Sequence, residues 1–217
     1  MPTAMIIGAS RGIGLELARQ YAAEGWRVHA TTRTPTQPGT LGALTGDLVL
    51  HELEVCRADH LATLVAAVAQ EGIDVLIHNA GVSDRGLSRD VVMRINAESP
   101  LVVTQALLSA LQRSTQKRLV LMSSQLGARY GSRRRLGVYG DSKAALNDAL
   151  RAVAPAWGRA GLIAIVMHPG WVRTDMGGAA APLTAAESVH GIRRLIACLT
   201  PREHGRFWTW DGREHPW

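Results

Sequence analysis

The sequence predicts an α/β fold built on a doubly wound parallel sheet. Three observations carry that prediction. Short apolar runs alternate with longer amphipathic stretches along the chain. Several of the apolar runs are continuous, the mark of strands buried on both faces. A glycine-rich turn, GASRGIG, joins the first apolar run to the first amphipathic stretch. Parallel strands need crossover connections, and the amphipathic stretches supply them.

The elements follow in order. TAMIIGA reads as the first strand, and the helix behind it sets Ile13, Leu17, Ala18 and Tyr21 on one face. WRVHATTR is the second strand and LVLHELEV the third, with LATLVAAVAQ helical after it. IDVLIHNAG is the fourth strand, and one long helix is expected over VMRINAESPLVVTQALLSALQ. KRLVLMSS is the fifth strand, followed by a helix from about Val138 to Gly158. LIAIVMHPG is the sixth, TAAESVHGIRRLIACL an amphipathic helix, and RFWTW the last strand. No repeat, linker or low-complexity segment interrupts this rhythm, so residues 1–217 are expected to form a single domain.

Composition narrows the function classes. A chain of 217 residues holds one large core and is short for two. Its 47% hydrophobic and 19% charged residues are those of a globular protein. No apolar run reaches the ~18 residues that a membrane span requires, and MPTAMIIGAS lacks the basic start of a signal peptide. Cys56 and Cys198 form no CxxC pair, which fits a reduced, cytoplasmic protein. The net charge of +6 raises nucleic acid as a partner. Against it, the charge is spread apart from Arg133, Arg134 and Arg135, with no aromatic interleaving and no helix-turn-helix or zinc spacing. The expectation is no nucleic acid, no membrane and no metal, and a small-molecule partner instead.

The glycine turn carries the first chemistry. Gly8 permits a tight turn, Gly12 lets backbone N–H groups approach a pyrophosphate, and Gly14 lets the helix pack close to the sheet. The helix N-terminus favours the anion through its free N–H groups and its dipole. The spacing is G-x-x-x-G-x-G rather than G-x-G-x-x-G, in the required context of strand, turn and helix. The end of the second strand then selects the dinucleotide. An acid there would hold a ribose 2′-OH, whereas an arginine suits a 2′-phosphate. Arg33 occupies that end, no acid follows it before Asp47, and Arg11 lies inside the glycine turn. Two guanidiniums without a carboxylate argue for NADP over NAD.

The stretch YGDSK carries the second chemistry. Lysine occurs at Lys117 and Lys143 alone, in a chain that otherwise uses arginine for positive charge. Tyr139 and Lys143 are four apart and share one helix face. A free tyrosine, with a pKa of about 10, is a poor acid/base near neutrality. An adjacent ammonium is expected to lower that value. The compact ammonium could also donate to ribose hydroxyls. Upstream, the residues alone do not choose between Ser123 and Ser124. His78 and His168, at strand ends in apolar surroundings, read as packed structural residues. A Ser124–His168–Asp175 triad is disfavoured because the G-x-S-x-G elbow is missing. Trp208, Trp210 and Trp217 read as C-terminal packing or subunit contacts.

Taken together these motifs resemble the short-chain dehydrogenase/reductase family, nearly end to end. GASRGIG resembles its cofactor loop, and Asn79-Ala80-Gly81 its NAG motif. Asn96, Ser124 and Tyr139 with Lys143 fall where the family keeps its catalytic set. Pro169-Gly170 and the following WVRTDM resemble its PG motif. The HPGWVRTDMGG stretch, the WDGREHPW ending and the long Ser124-to-Tyr139 spacing resemble the branch of C-factor- and Sniffer-type carbonyl reductases. Ile7 departs from the family's threonine, and Glu54 from its usual adenine-contacting aspartate.

The resemblance implies a Rossmann-type sheet of seven strands in the order 3-2-1-4-5-6-7, with helices on both faces. It implies an NADP(H)-dependent oxidoreductase acting on a carbonyl or alcohol. Tyr139 would exchange the proton and Ser124 would hold the carbonyl oxygen. Lys143 would tune Tyr139 and hold the ribose, and Asn96 would help place a relay water. Cofactor contacts are implied for Gly8, Ser10, Arg11, Gly12, Ile13 and Gly14 in the turn and for Arg33, Glu54 and Val55 after the next two strands. They are also implied for Asn79, Ala80 and Gly81, for Tyr139 and Lys143, and for Pro169, Gly170, Val172 and Thr174. A homo-oligomer, dimer or tetramer, is implied as well. The C-factor likeness also admits an NADP-binding signalling or regulatory protein with secondary catalysis. The family places the stretch between Ser124 and Tyr139 beside the substrate pocket. Here it carries Arg129, Arg133, Arg134 and Arg135, which would favour an anionic carbonyl substrate. A solvated loop or subunit contact is the competing reading.

Overall fold

Seven strands lie side by side, all parallel, in the order β3-β2-β1-β4-β5-β6-β7. This computed structural model describes residues 1–130 and 137–217. The chain begins with β1 (Thr3–Ile7), α1 (Gly12–Ala23), β2 (Arg27–Thr32), β3 (Leu48–Glu52) and α2 (Ala58–Ala67). Next come β4 (Val75–His78) and a helical run made of α3 (Arg89–Met93), a π segment (Arg94–Glu98), α4 (Ser99–Ala106) and α5 (Leu108–Arg113). The second half holds β5 (Arg118–Met122), α6 (Gly137–Arg159), β6 (Ile163–His168), α7 (Ala185–Cys198) and β7 (Phe207–Thr209).

Successive strand residues point to opposite faces, and here both faces are apolar. Met5, Ile7, Leu76, Leu119 and Leu121 enter one core with residues of α2, α4, α5 and α6. Ala4, Ile6, Val75, Ile77 and Val120 enter the other, with residues of α1 and α7. A sheet buried on both sides needs continuous apolar strands, which is why TAMII carries no polar alternation.

The predicted long helix over residues 92–112 is interrupted, by the π segment and again at Leu107. Pro100 has no N–H to continue the regular ladder. Just before it the chain widens into a π turn, in which the Ser99 N–H reaches back to Arg94. Such turns concentrate at functional sites, and this one carries Asn96. The third strand is also shorter than predicted. It stops at Glu52, and an Arg57 N–H to Glu54 carbonyl bond of 2.8 Å starts a turn. Glu54 and Val55 therefore sit in a loop above the sheet. The strand order reverses between β1 and β4, which opens a crevice at their C-terminal ends. Among the described residues, no helix is long and apolar enough to cross a membrane.

Candidate functional site

A cleft of about 310 Å³ opens at this crevice. Its floor is the glycine turn. Gly8 has a φ of +84°, and a Cβ there would stand 2.8 Å from Ala80. Its N–H donates to the Thr31 hydroxyl at 2.9 Å. Gly14 packs against the same turn, since a Cβ on it would fall 2.0 Å from the Gly8 carbonyl oxygen and 2.6 Å from the Asn79 amide. The Asn79 amide in turn donates to the Gly8 carbonyl at 2.8 Å. The close approach of helix to turn thus leaves no room for side chains at Gly8 or Gly14. α1 then starts with no side-chain cap on its first N–H groups, and Ser10, Gly12 and Ile13 line the cleft at that end. Uncapped N–H groups at the start of a helix are a built anion site.

Arg11 and Arg33 both line the cleft and are well exposed. The sequence suggested two guanidiniums with no carboxylate beside them, and the fold corrects this. Asp175, brought from beyond β6, pairs with Arg11 at 2.8 Å, and Glu54 approaches Arg33 to 3.9 Å. Both partners lie far away in sequence or on another strand end, so strand-end reading alone does not reveal them. Exposed pairs of this kind are weak and exchange readily for a stronger anion.

α6 supplies Tyr139 and Lys143 from its first turns. The Asp84 carboxylate accepts from the Tyr139 N–H at 3.4 Å and so helps secure the start of the helix. Arg89 pairs with Asp141 at 2.7 Å and ties α3 to the same turn. Lys143 is buried, and its Nζ donates to the Met122 carbonyl at 2.8 Å. Burial lowers its pKa to about 8. Nζ stands 5.8 Å from the centre of the Tyr139 ring. Tyr139 does not show the lowered pKa expected from the ammonium. Burial raises it, and a hydrogen bond with Ser124 pulls it partway back. The ammonium does not offset this burial, because Lys143 Nζ is turned to the Met122 carbonyl at the end of β5.

Their other hydrogen bonds separate the two serines. The Ser123 hydroxyl is spent on Asn147, to which it donates at 2.6 Å inside the core. Ser124 meets Tyr139. Asn96 is fully buried. Its amide donates to the Val82 carbonyl at 2.8 Å and the Ser142 hydroxyl at 3.0 Å, and its oxygen accepts from the Val82 N–H at 2.9 Å. Asn96 therefore clamps the loop after β4 to α6. Gly81 closes the gap, since a Cβ there would meet the Asn96 oxygen at 3.1 Å and Lys143 Nζ at 3.5 Å.

The remaining predicted residues divide. Val55, Asn79, Ala80, Pro169 and Thr174 line the cleft with those already named. Asn96 and Ser124 stand behind or beside its wall, Gly170 lines a neighbouring cleft, and Val172 is buried. Thr31, Thr32, Val82, Ile95, Asp175 and Met176 line it without having been foreseen. The polar pair Thr31-Thr32 at the C-terminal end of β2 was the available signal. Arg129 is not on the cleft rim. It pairs with Asp148 on the flank of α6, because that carboxylate lies within reach of its guanidinium. Arg133, Arg134 and Arg135 lie outside the described residues. His78 is buried, and burial together with the nearby Lys143 lowers its pKa to about 3, so it stays neutral. Cys56 and Cys198 are free and exposed.

A parallel sheet with a glycine turn at its switch point, beside a Ser–Tyr–Lys grouping from the loop after β5 and from α6, defines a dinucleotide-linked oxidoreductase architecture. The short chain dehydrogenase family model matches residues 2–183, and the chain belongs to that family. It is 39% identical over 155 residues to the C-signal protein of Myxococcus xanthus, covering 67% of this chain and 93% of that one. Among solved structures it resembles the carbonyl reductase Sniffer of D. melanogaster, with a TM-score of 0.90, 27% identity and full coverage of both chains. It resembles equally the NADPH-bound carbonyl reductase from chicken fatty liver, with a TM-score of 0.90 and 27% identity, covering 100% of this chain and 94% of that one.

Proposed function

We propose that the protein is an NADP(H)-dependent carbonyl reductase. The observation that carries this reading is Tyr139 on the wall of a cleft with an uncapped helix N-terminus, with Ser124 and the buried Lys143 beside it. The residues suit the dinucleotide. The glycine turn and the start of α1 would receive its pyrophosphate. Arg11 and Arg33 would take the 2′-phosphate in place of Asp175 and Glu54. Lys143 would meet the nicotinamide ribose. The bound cofactor supplies the reducing equivalent.

The chain's own groups do the rest. Ser124 donates to the carbonyl oxygen and steadies the charge that develops there. Tyr139 gives that oxygen its proton. Its raised pKa keeps the phenol protonated at neutral pH, which suits reduction. Lys143, as a cation, would replace the proton through the ribose hydroxyls. Asn96 holds Val82 and Ser142, and so keeps the wall behind Lys143 in place.

The likeness to the C-signal protein supports a second reading, an NADP-binding signalling protein in which turnover is secondary. A sensor needs no proton donor, so the Ser124–Tyr139–Lys143 grouping favours the enzyme. The test is NADPH and NADH consumption over a panel of aldehydes and ketones. Turnover with NADPH in preference to NADH supports the reductase. Tight NADPH binding with no turnover over the panel favours the signalling reading.

A further inference from the structure

The chain beyond β7 makes a contact that the cleft does not require. It turns at Gly212, where φ is +84°, and runs back along β7. The Thr209 N–H donates to the Arg213 carbonyl at 2.8 Å, and the His215 N–H donates to the Phe207 carbonyl at 2.7 Å. Trp208 and Glu214 form an antiparallel bridge, and Arg206 pairs with Glu214 at 2.9 Å. This return brings Trp217 against the core face that α6 covers. Its ring lies 5.8 Å from that of Phe207 and 5.3 Å from the Arg151 guanidinium on α6. A ring fixed on two sides by aromatic and cation–π contacts is a firm anchor.

From that anchor the Trp217 main-chain oxygen accepts from the Tyr130 N–H at 2.7 Å. Tyr130 belongs to the loop that leaves Ser124. Its side chain is 71% exposed, so the residue is held through its main chain. The preceding residue, Arg129, is tied to Asp148 of α6. Gln125, which follows Ser124, shares a second cleft of about 460 Å³ with His215 and Pro216 of the returning chain. The loop carrying Ser124 is therefore fastened to α6 through Arg129 and through Asn147, which meets Ser123 and the Gly127 carbonyl, and to the C-terminal return through Tyr130. Tyr139 rides on α6 itself.

We propose that Trp217 is a positioning residue that holds the Ser124 loop against α6, keeping Ser124 beside Tyr139. It acts through the Tyr130 main chain and touches neither cofactor nor substrate. The inference rests on the reading of Ser124 and Tyr139 as the reacting pair.

Trp217→Ala is expected to lower kcat/KM for a carbonyl substrate about ten- to a hundred-fold, the scale of a misplaced reacting group. The NADPH Kd is expected to stay unchanged, because the cleft is built from other elements. Trp217→Phe keeps a ring between Phe207 and Arg151 and should recover most of the loss. A folded Trp217→Ala protein with unaltered kcat/KM overturns the proposal, as does a matching loss of NADPH affinity. Hydrogen exchange at the Tyr130 amide of the unaltered protein reads the same contact without a variant. Protection is expected there. Exchange at the rate of a free peptide overturns the proposal even where Trp217→Ala fails to fold. Turnover abolished by Tyr139→Phe but untouched by Trp217→Ala would sink this proposal alone. No NADPH-dependent carbonyl turnover in the unaltered protein would sink the reductase reading with it.

Discussion

Arg33 shows how a single residue can be chosen for a charge that it holds only loosely. It is largely exposed, and its nearest carboxylate, Glu54, stands 3.9 Å away. A loose partner costs little to displace, whereas a 2′-phosphate offers several strong acceptor oxygens to a planar guanidinium. Arg33→Ala should therefore weaken NADPH binding about ten-fold, the lower range for a charged hydrogen bond reduced by exposure. NADH binding should barely change. Titrating both dinucleotides against both proteins checks this, and equal affinity for the two in the unaltered protein contradicts it. Arg11 is less free, because its bond to Asp175 is shorter at 2.8 Å. Identity and position of both arginines were readable from the sequence. Their carboxylate neighbours were not, because the contact between Arg11 and Asp175 spans 164 residues.

At the scale of elements, the π turn in the run from α3 to α4 matters most. It sets Asn96 facing the loop after β4 and the flank of α6 at once. Replacing Asn96 by leucine keeps an apolar fit to the helix but strips the Val82 N–H and carbonyl of their partner. Each orphaned buried group costs about 1–3 kcal/mol. Asn96→Leu should lower the urea midpoint and reduce turnover together. A variant with both properties unaltered would show that the clamp is not needed. The alternation of strands and helices was legible because each element declares itself over a short window, and all seven strands fall within the runs predicted for them. The break in the helix was not read, although Pro100 was its visible signal, because a proline in the first turn of a helix is ordinary. The shortened third strand was missed for a similar reason. LEV continues the apolar pattern, and the turn that ends the strand depends on a bond from Arg57.

For the molecule as a whole, three histidines set the response to acid. Burial lowers His51 and His168 to about 4 and His78 to about 3. In the unfolded chain each titrates near about 6.5. The unfolded chain therefore binds more protons than the folded one between these values, and stability falls as pH drops through that window. Stability should be fully present above about pH 7 and decline steadily towards pH 4. Urea unfolding at half-unit steps from pH 8 to pH 5 measures it, and a flat midpoint over that range is the contrary result. His29 joins the effect through its hydrogen bonds to His51 at 2.8 Å and Glu71 at 2.9 Å. Burial favours the neutral form of both rings, and with His29 Nε2–H donating to Glu71 its Nδ1 then accepts from His51. Reading the sequence as a line of elements gave no hint of this cluster, since its members come from two strands and a loop.

The reductase reading turns most directly on the phenol of Tyr139. Tyr139→Phe removes one oxygen from a ring that is otherwise packed, so the fold and the dinucleotide cleft should survive. Turnover of a carbonyl substrate should then fall by at least the ~10²–10⁴ of a lost general acid, with the NADPH Kd unchanged. A folded Tyr139→Phe protein that binds NADPH and keeps more than about a tenth of its turnover would contradict the role assigned to Tyr139.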